Sequence, residues 1–263
     1  MIGIQLILDV LEGHISAQYI CRDVLPDTCC GAAFFNPLLP FSSHTLYVAE
    51  AATWRAALTE GRILLPEVTL FVSDPAQDAE GLTDSCGVGN LIVCDLPCFE
   101  LHRRITEVID RYSRVVQAAG QLPRDDISGL LALCGNAMDI SLLYTDEQLT
   151  PSAAALRDRD SDCPLLACER GALISDLPRQ LLSGLSECGT ASVPWKASVL
   201  TIAALPTAGY LLCLSRRDKK MTEQEILLCA RLLTRALKNS IHGRAADNSP
   251  CSLWRSCSAE TKH

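Results

Sequence analysis

Between residues 197 and 242 the chain has little choice of fold. Residues 197–205 are mostly apolar, with β-branched Val199, Thr201 and Ile202, and predict a buried strand. Pro206-Thr207-Ala208-Gly209 is a short turn, and Tyr210-Leu211-Leu212-Cys213-Leu214 is long enough only for a strand, so the two runs pair as a hairpin. A polar, basic stretch, 215–220, then leads to Thr222-Glu223-Gln224-Glu225. A threonine three residues ahead of a glutamate is a capping box, in which each side chain satisfies a free N–H at a helix start. The helix it opens carries Ile226, Ala230, Leu233, Leu237 and Ile241 along one side. Hairpin and capped helix together predict an α+β unit, an antiparallel sheet with helices gathered on one side.

Upstream, the spacing predicts a helix over 4–11 with Leu6, Ile7, Val10 and Leu11 on one face and Gly13 at its end. Short apolar strands follow at 32–35, 45–49, 68–72 and 90–95, with a helix over 51–58 stopping at Gly61. Continuous apolar strands alternating with helices predict an α/β unit with a mostly parallel sheet over residues 1–97. Pro97 starts a long helix over 98–118. On it Leu101, Ile105, Val108, Tyr112, Val115 and Ala119 recur at alternating four- and three-residue spacing. That stripe either packs on its own domain or dimerises two chains. Gly120-Gln121-Leu122-Pro123 breaks the chain, making 98–123 a helix and linker and 124–243 the second domain. Within it, Asp125 or Asp126 caps a helix over 127–137, residues 139–144 form a strand, 145–148 turn, and Leu149-Thr150 begins the returning strand. Residues 153–162 read as loop or short helix, and 173–182 contain a helix start at Ser175-Asp176-Leu177-Pro178.

Bulk properties narrow the function classes. With 48% hydrophobic and 21% charged residues the chain is globular, and a net charge of −8 opposes a non-specific grip on nucleic acid. The first residues lack a basic leader and no apolar run approaches the ~18 residues of a membrane span, so a cytoplasmic protein with no membrane partner is expected. In that compartment the 14 cysteines stay reduced, and Cys94, Cys134, Cys213 and Cys229 lie within apolar runs where a thiol acts as a small hydrophobe.

Chemical constellations are sparse. Cys94, Cys98 and His102 have the most metal-like spacing, but Cys94 ends a strand and no second pair sits at a fitting distance. Cys29-Cys30 lacks the Cys-x-x-Cys of a redox motif. The glycine-containing stretches 81–89 and 184–189 lack phosphate-loop spacing, and Arg216-Arg217-Asp218-Lys219-Lys220 reads as a solvated connection. His14, His44, His102, His242 and His263 are dispersed, with no nucleophile motif nearby. No catalytic residue, individual ligand contact, metal or cofactor is assigned, and an enzyme is not expected.

The order of elements resembles the sensory half of PucR-type bacterial transcriptional regulators. The similar stretches are Leu46-Tyr47-Val48 with its helix, residues 68–74, Asn90-Leu91-Ile92-Val93-Cys94-Asp95 and the long helix to Arg114, then 125–242, which is similar to that family's central GAF-like domain. The resemblance implies an α/β domain followed by a GAF-like sensory domain, with a pocket lined from strands 138–144 and 199–214 and the loops between. It also implies a homodimer that takes a small-molecule effector and does not itself bind nucleic acid, because residues 243–263 form no helix-turn-helix. A ligand would act by favouring one packing of the helices at 98–118 and 222–242. Residues 244–263 form an irregular tail without helical or strand period. Shifted by two bases, the codons of its last dozen residues permit Leu-x-Leu-Glu-Glu-Leu-Leu-Ser-Gly-Asn, an amphipathic helix with a glycine stop, so this tail is expected to be out of frame. The competing reading is a structural dimerisation module, whose cavity would be filled by its own apolar side chains; a third is an uncharacterised enzyme, which requires a cleft with a perturbed acid, base or nucleophile.

Overall fold

The computed structural model describes residues 2–20, 29–59, 65–76, 88–123, 125–157, 185, 189–195, 198–206, 209–216 and 221–247. The chain divides into two compact units, Met1–Val116 and Gln117–His263, so the long helix falls almost wholly in the first.

The first unit runs α1 (Ile4–Leu11), a 3-10 turn (Glu12–His14), β1 (Ile15–Ile20), β2 (Gly31–Phe34), β3 (Thr45–Glu50), α2 (Ala51–Thr59), β4 (Leu65–Ser73), β5 (Val88–Cys94) and α3 (Cys98–Ala119). Its sheet has the order β1-β5-β4-β3-β2, parallel from β2 to β5, with β1 antiparallel on β5. This is the mostly parallel sheet that the apolar runs predict, with β1 added at an edge. The inner strands are buried on both faces, as parallel strands generally are. Tyr47, Ala49, Leu70, Val72, Leu91 and Val93 share one face with Trp54 and Ala57 of α2, while Leu46, Val48, Phe71 and Ile92 alternate onto the other.

Two details differ from the expected pattern. On α1 the buried residues are Ile4, Leu6, Ile7, Leu8 and Leu11, and Val10 is exposed. Ile4, Ile7, Leu8 and Leu11 follow i, i+3, i+4, i+7 spacing, and Val10 falls outside that stripe. On α3, Leu101, Ile105, Val108, Tyr112 and Val115, joined by Ile109, are buried within this single chain. The stripe therefore packs within its own chain, the first of the two alternatives. The solvent side of α3 is an ion-pair ladder, with Glu100 accepting from Arg103 at 2.7 Å and from Arg104 at 2.8 Å.

The second unit contains α4 (Ile127–Met138), β6 (Ser141–Thr145), β7 (Pro151–Ala155), β8 (Thr190–Trp195), β9 (Ser198–Ala204), β10 (Tyr210–Arg216) and α5 (Glu223–Asp247). The sheet is antiparallel throughout, in the order β7-β6-β10-β9-β8. Helix α4 packs on β6, β7 and α5, and α5 packs on β9. Asp126 caps α4 by accepting from the Gly129 N–H at 2.7 Å. Asp139, expected to begin the strand, instead closes α4 in the left-handed region at φ 61°, which a short polar side chain tolerates. Thr145, expected in the turn, is paired in β6. Ala153–Ala155, expected in a loop, belong to β7, whose alanines pair with Leu142, Leu143 and Tyr144. Gly209 has φ +95°, and a Cβ there would meet the Thr145 carbonyl oxygen at 2.1 Å, so the hairpin admits only glycine at this point.

The capping box forms as expected. The Glu225 N–H donates to Thr222 Oγ1 at 3.2 Å, and the Thr222 N–H donates to Glu225 Oε2 at 3.0 Å. Thr222→Ala is expected to lower the stability of the second unit by about 1 kcal/mol in urea denaturation, with Thr222→Ser near neutral. Ile226, Ala230 and Leu233 of the predicted stripe are buried, and Leu237 is half-buried. Residues 244–247, expected in the irregular tail, continue α5 to Asp247. The expected elements at 173–182, the turn residues Thr207 and Ala208, residues 217–220 of the basic cluster and the rest of the tail lie outside the described residues. Among those described, no helix is long and apolar enough to cross a membrane.

Candidate functional site

Cys94, Cys98 and His102 do not converge on a common ligand site. The Cys94 thiol is fully buried at the end of β5, and burial first, then the Asp95 charge, push it up to about 12. The His102 ring on α3 lies flat on Phe34 of β2, with centroids 4.3 Å apart, so ring stacking occupies it. Among the described residues no three His, Cys, Asp or Glu side chains gather closely enough to hold a metal. Cys29 is buried and Cys30 exposed, both as free thiols, and burial followed by the neighbouring Cys30 pushes the Cys29 thiol up to about 11. His14 finds a partner that the sequence does not announce, Asp95, with Nδ1 2.9 Å from Oδ1.

Burial of the Cys94 thiol has a pH consequence. Its folded-state pKa lies above the ordinary 9.0, so its contribution to stability is complete below about pH 9 and is lost as pH rises toward about 12. Cys94→Ala is expected to flatten the fall of stability with pH above 9, measured by urea denaturation of both proteins across that range.

In the second unit, Cys134, Cys213 and Cys229 are buried between the sheet and the two helices. Cys229 donates to the Met138 sulfur at 3.3 Å, and burial holds the Cys213 thiol far above its usual range. These sulfurs fill the core as soft hydrophobes. On the opposite sheet face Leu143, Leu200, Ile202 and Leu212 form an apolar cluster at 1% exposure or less, with Leu149, Ala154, Leu156 and Leu185 packed against it. This is where the family resemblance places an effector pocket.

A groove opens along the last helix of this unit. Ala204 and Pro206, at the end of β9, and Leu227, Ala230, Arg231, Thr234, Arg235, Lys238 and Asn239 of α5 line a groove of about 530 Å³. That volume falls in the usual range of small-molecule sites. Its floor is apolar. Its rim carries Arg231, Arg235 and Lys238, one cation per helical turn, all exposed and none ion-paired among the described residues. Thr234 differs from Thr59 and Thr106, two other helical threonines. Thr59 donates to the Arg55 carbonyl at 2.6 Å and Thr106 to the His102 carbonyl at 2.9 Å, whereas Thr234 Oγ1 is closed to solvent and has no hydrogen-bond partner. A hydroxyl left unfilled in this way is uncommon, because its desolvation is not compensated.

No protein-family model matches the chain, and no curated protein matches it. Among solved structures, Myxococcus xanthus MglB aligns at 12% identity with a TM-score of 0.34, over 43% of this chain and 94% of MglB.

Proposed function

We propose that this chain is a ligand-sensing regulatory protein, similar to the sensory region of PucR-type transcriptional regulators, whose second unit takes a small-molecule effector. The observation that carries this reading is the groove along α5, with its apolar floor and a rim of cations that are not ion-paired among the described residues. An effector seated there touches both the end of β9 and the capped helix α5. Differential affinity for two positions of that helix is what would turn binding into a signal. The protein acts as a cytoplasmic homodimer in this reading, and its dimer contact lies outside the α3 stripe. Thermal unfolding of the full chain against a panel of metabolites tests the reading. A true effector at about one hundred times its dissociation constant raises stability by about 2.7 kcal/mol, and sedimentation velocity in the same samples gives the assembly state. Absence of any stabilising compound at millimolar concentration would overturn it.

A second reading, a structural module that senses nothing, draws support from the buried apolar cluster around Leu143 and Leu212. It expects a stable assembly whose unfolding no metabolite alters.

A further inference from the structure

We infer that the α5 groove is selective for amphipathic organic anions, a carboxylate or phosphate group carried on an apolar body. The inference rests on the effector-site reading and names the ligand class for it.

Three observations converge. The first is the division of surfaces within the groove. Leu227 and Ala230 line the trough with Ala204 and Pro206, while Arg231, Arg235 and Lys238 run beside it. From Leu227 to Asn239 the helix advances about 18 Å, so an apolar body has a bed and its anionic end has a choice of cations along one side. The second is that these cations have no ion-pair partner among the described residues. On α3 every turn that carries Arg103 or Arg104 supplies Glu100 or Glu107 at i±3 or i±4. On α5 no acid stands three or four residues from Arg231, Arg235 or Lys238. Guanidinium groups without carboxylates are free to form the charge-assisted, two-pronged bonds that carboxylate and phosphate accept.

The third is the distribution of charge over the chain. Residues 1–116 hold 15 acidic and 7 basic side chains, a net −8, and residues 117–263 hold 16 of each, a net zero. The unit that bears the groove therefore has no excess negative charge of its own to repel an anion.

Titration calorimetry of the full chain with a matched set of probes tests this. Phenylacetate and phenyl phosphate share an aromatic body with neutral phenylacetamide and cationic phenethylamine, and inorganic phosphate carries the anion alone. The two aromatic anions are expected to bind at least tenfold more tightly than the amide and the amine, and more tightly than inorganic phosphate. Their affinity is expected to fall with added salt and to drop about tenfold in Arg231→Gln or Arg235→Gln, both exposed positions where the fold is retained. Equal binding of amide and acid, preference for the amine, or anion binding unchanged in the arginine variants would overturn the anion class while leaving the effector site standing. If none of the five probes binds, the anion class falls, and the metabolite panel alone then decides whether the groove takes any ligand.

Discussion

Ile105→Ala is expected to destabilise the first unit by roughly 2–5 kcal/mol, and Ile105→Lys to leave that unit unfolded. Ile105 is fully buried on α3, in the middle of a stripe running from Leu101 to Val115 that this one chain covers. Truncation removes the transfer free energy of the side chain and leaves a cavity that the parallel sheet and helix cannot collapse to fill. A lysine there adds an ammonium with no partner, and the cost of burying it exceeds any gain from its stem. Urea denaturation followed by tryptophan fluorescence reads the outcome, since Trp54 is the only tryptophan before residue 117. A folded, monomeric Ile105→Lys protein derived from a dimeric parent would contradict burial within the chain and restore the stripe as a dimer seam.

Trp54→Ala is expected to cost about 3–5 kcal/mol, and Trp54→Phe far less. Trp54 is fully buried under the sheet and stands edge-on to Phe35, with ring centroids 5.7 Å apart. Its indole N–H, however, has no hydrogen-bond partner. That orphan donor imposes a desolvation cost of about 1–3 kcal/mol, which phenylalanine removes while keeping an aromatic edge against Phe35. The lost ring volume and the removed donor act in opposite directions, so the net change is expected below about 1.5 kcal/mol. Thermal unfolding of both variants measures the difference. A Trp54→Phe protein as unstable as Trp54→Ala would mean that packing volume alone sets the stability of this core.

The central elements of both units are legible in the sequence because burial on two faces leaves an unambiguous record. Strands β3, β4, β5, β9 and β10 are apolar runs bounded by turn residues, and α3 and α5 announce themselves by stripe and cap. The overlooked strands, β1 and β8, are both sheet edges. An edge strand pairs on one side only and need not be apolar. Ile-Ser-Ala-Gln-Tyr-Ile in β1 mixes polar and apolar residues, and β8 contains Pro194, which a central strand would exclude. Similarly, β7 is largely alanine, too weak a signal to separate from loop.

The groove escaped for a different reason. Arg231, Thr234, Arg235 and Lys238 look like the solvated flank of any amphipathic helix, and the loop residue Pro206 that completes the wall is distant in sequence. A signal was present in the missing acids, since a helix that spends three cations on one flank without carboxylates at i±3 or i±4 leaves them available to something else.

Thermal unfolding of the wild-type chain and of Arg231→Glu/Arg235→Glu, run side by side over one metabolite panel, tests the effector groove most directly. The expected result is a compound that raises the melting temperature of the wild type in a concentration-dependent way and leaves the double variant unmoved, with the two proteins melting alike in its absence. A compound that stabilises both proteins equally would place the effector elsewhere, and a wild type that no compound stabilises would contradict sensing altogether.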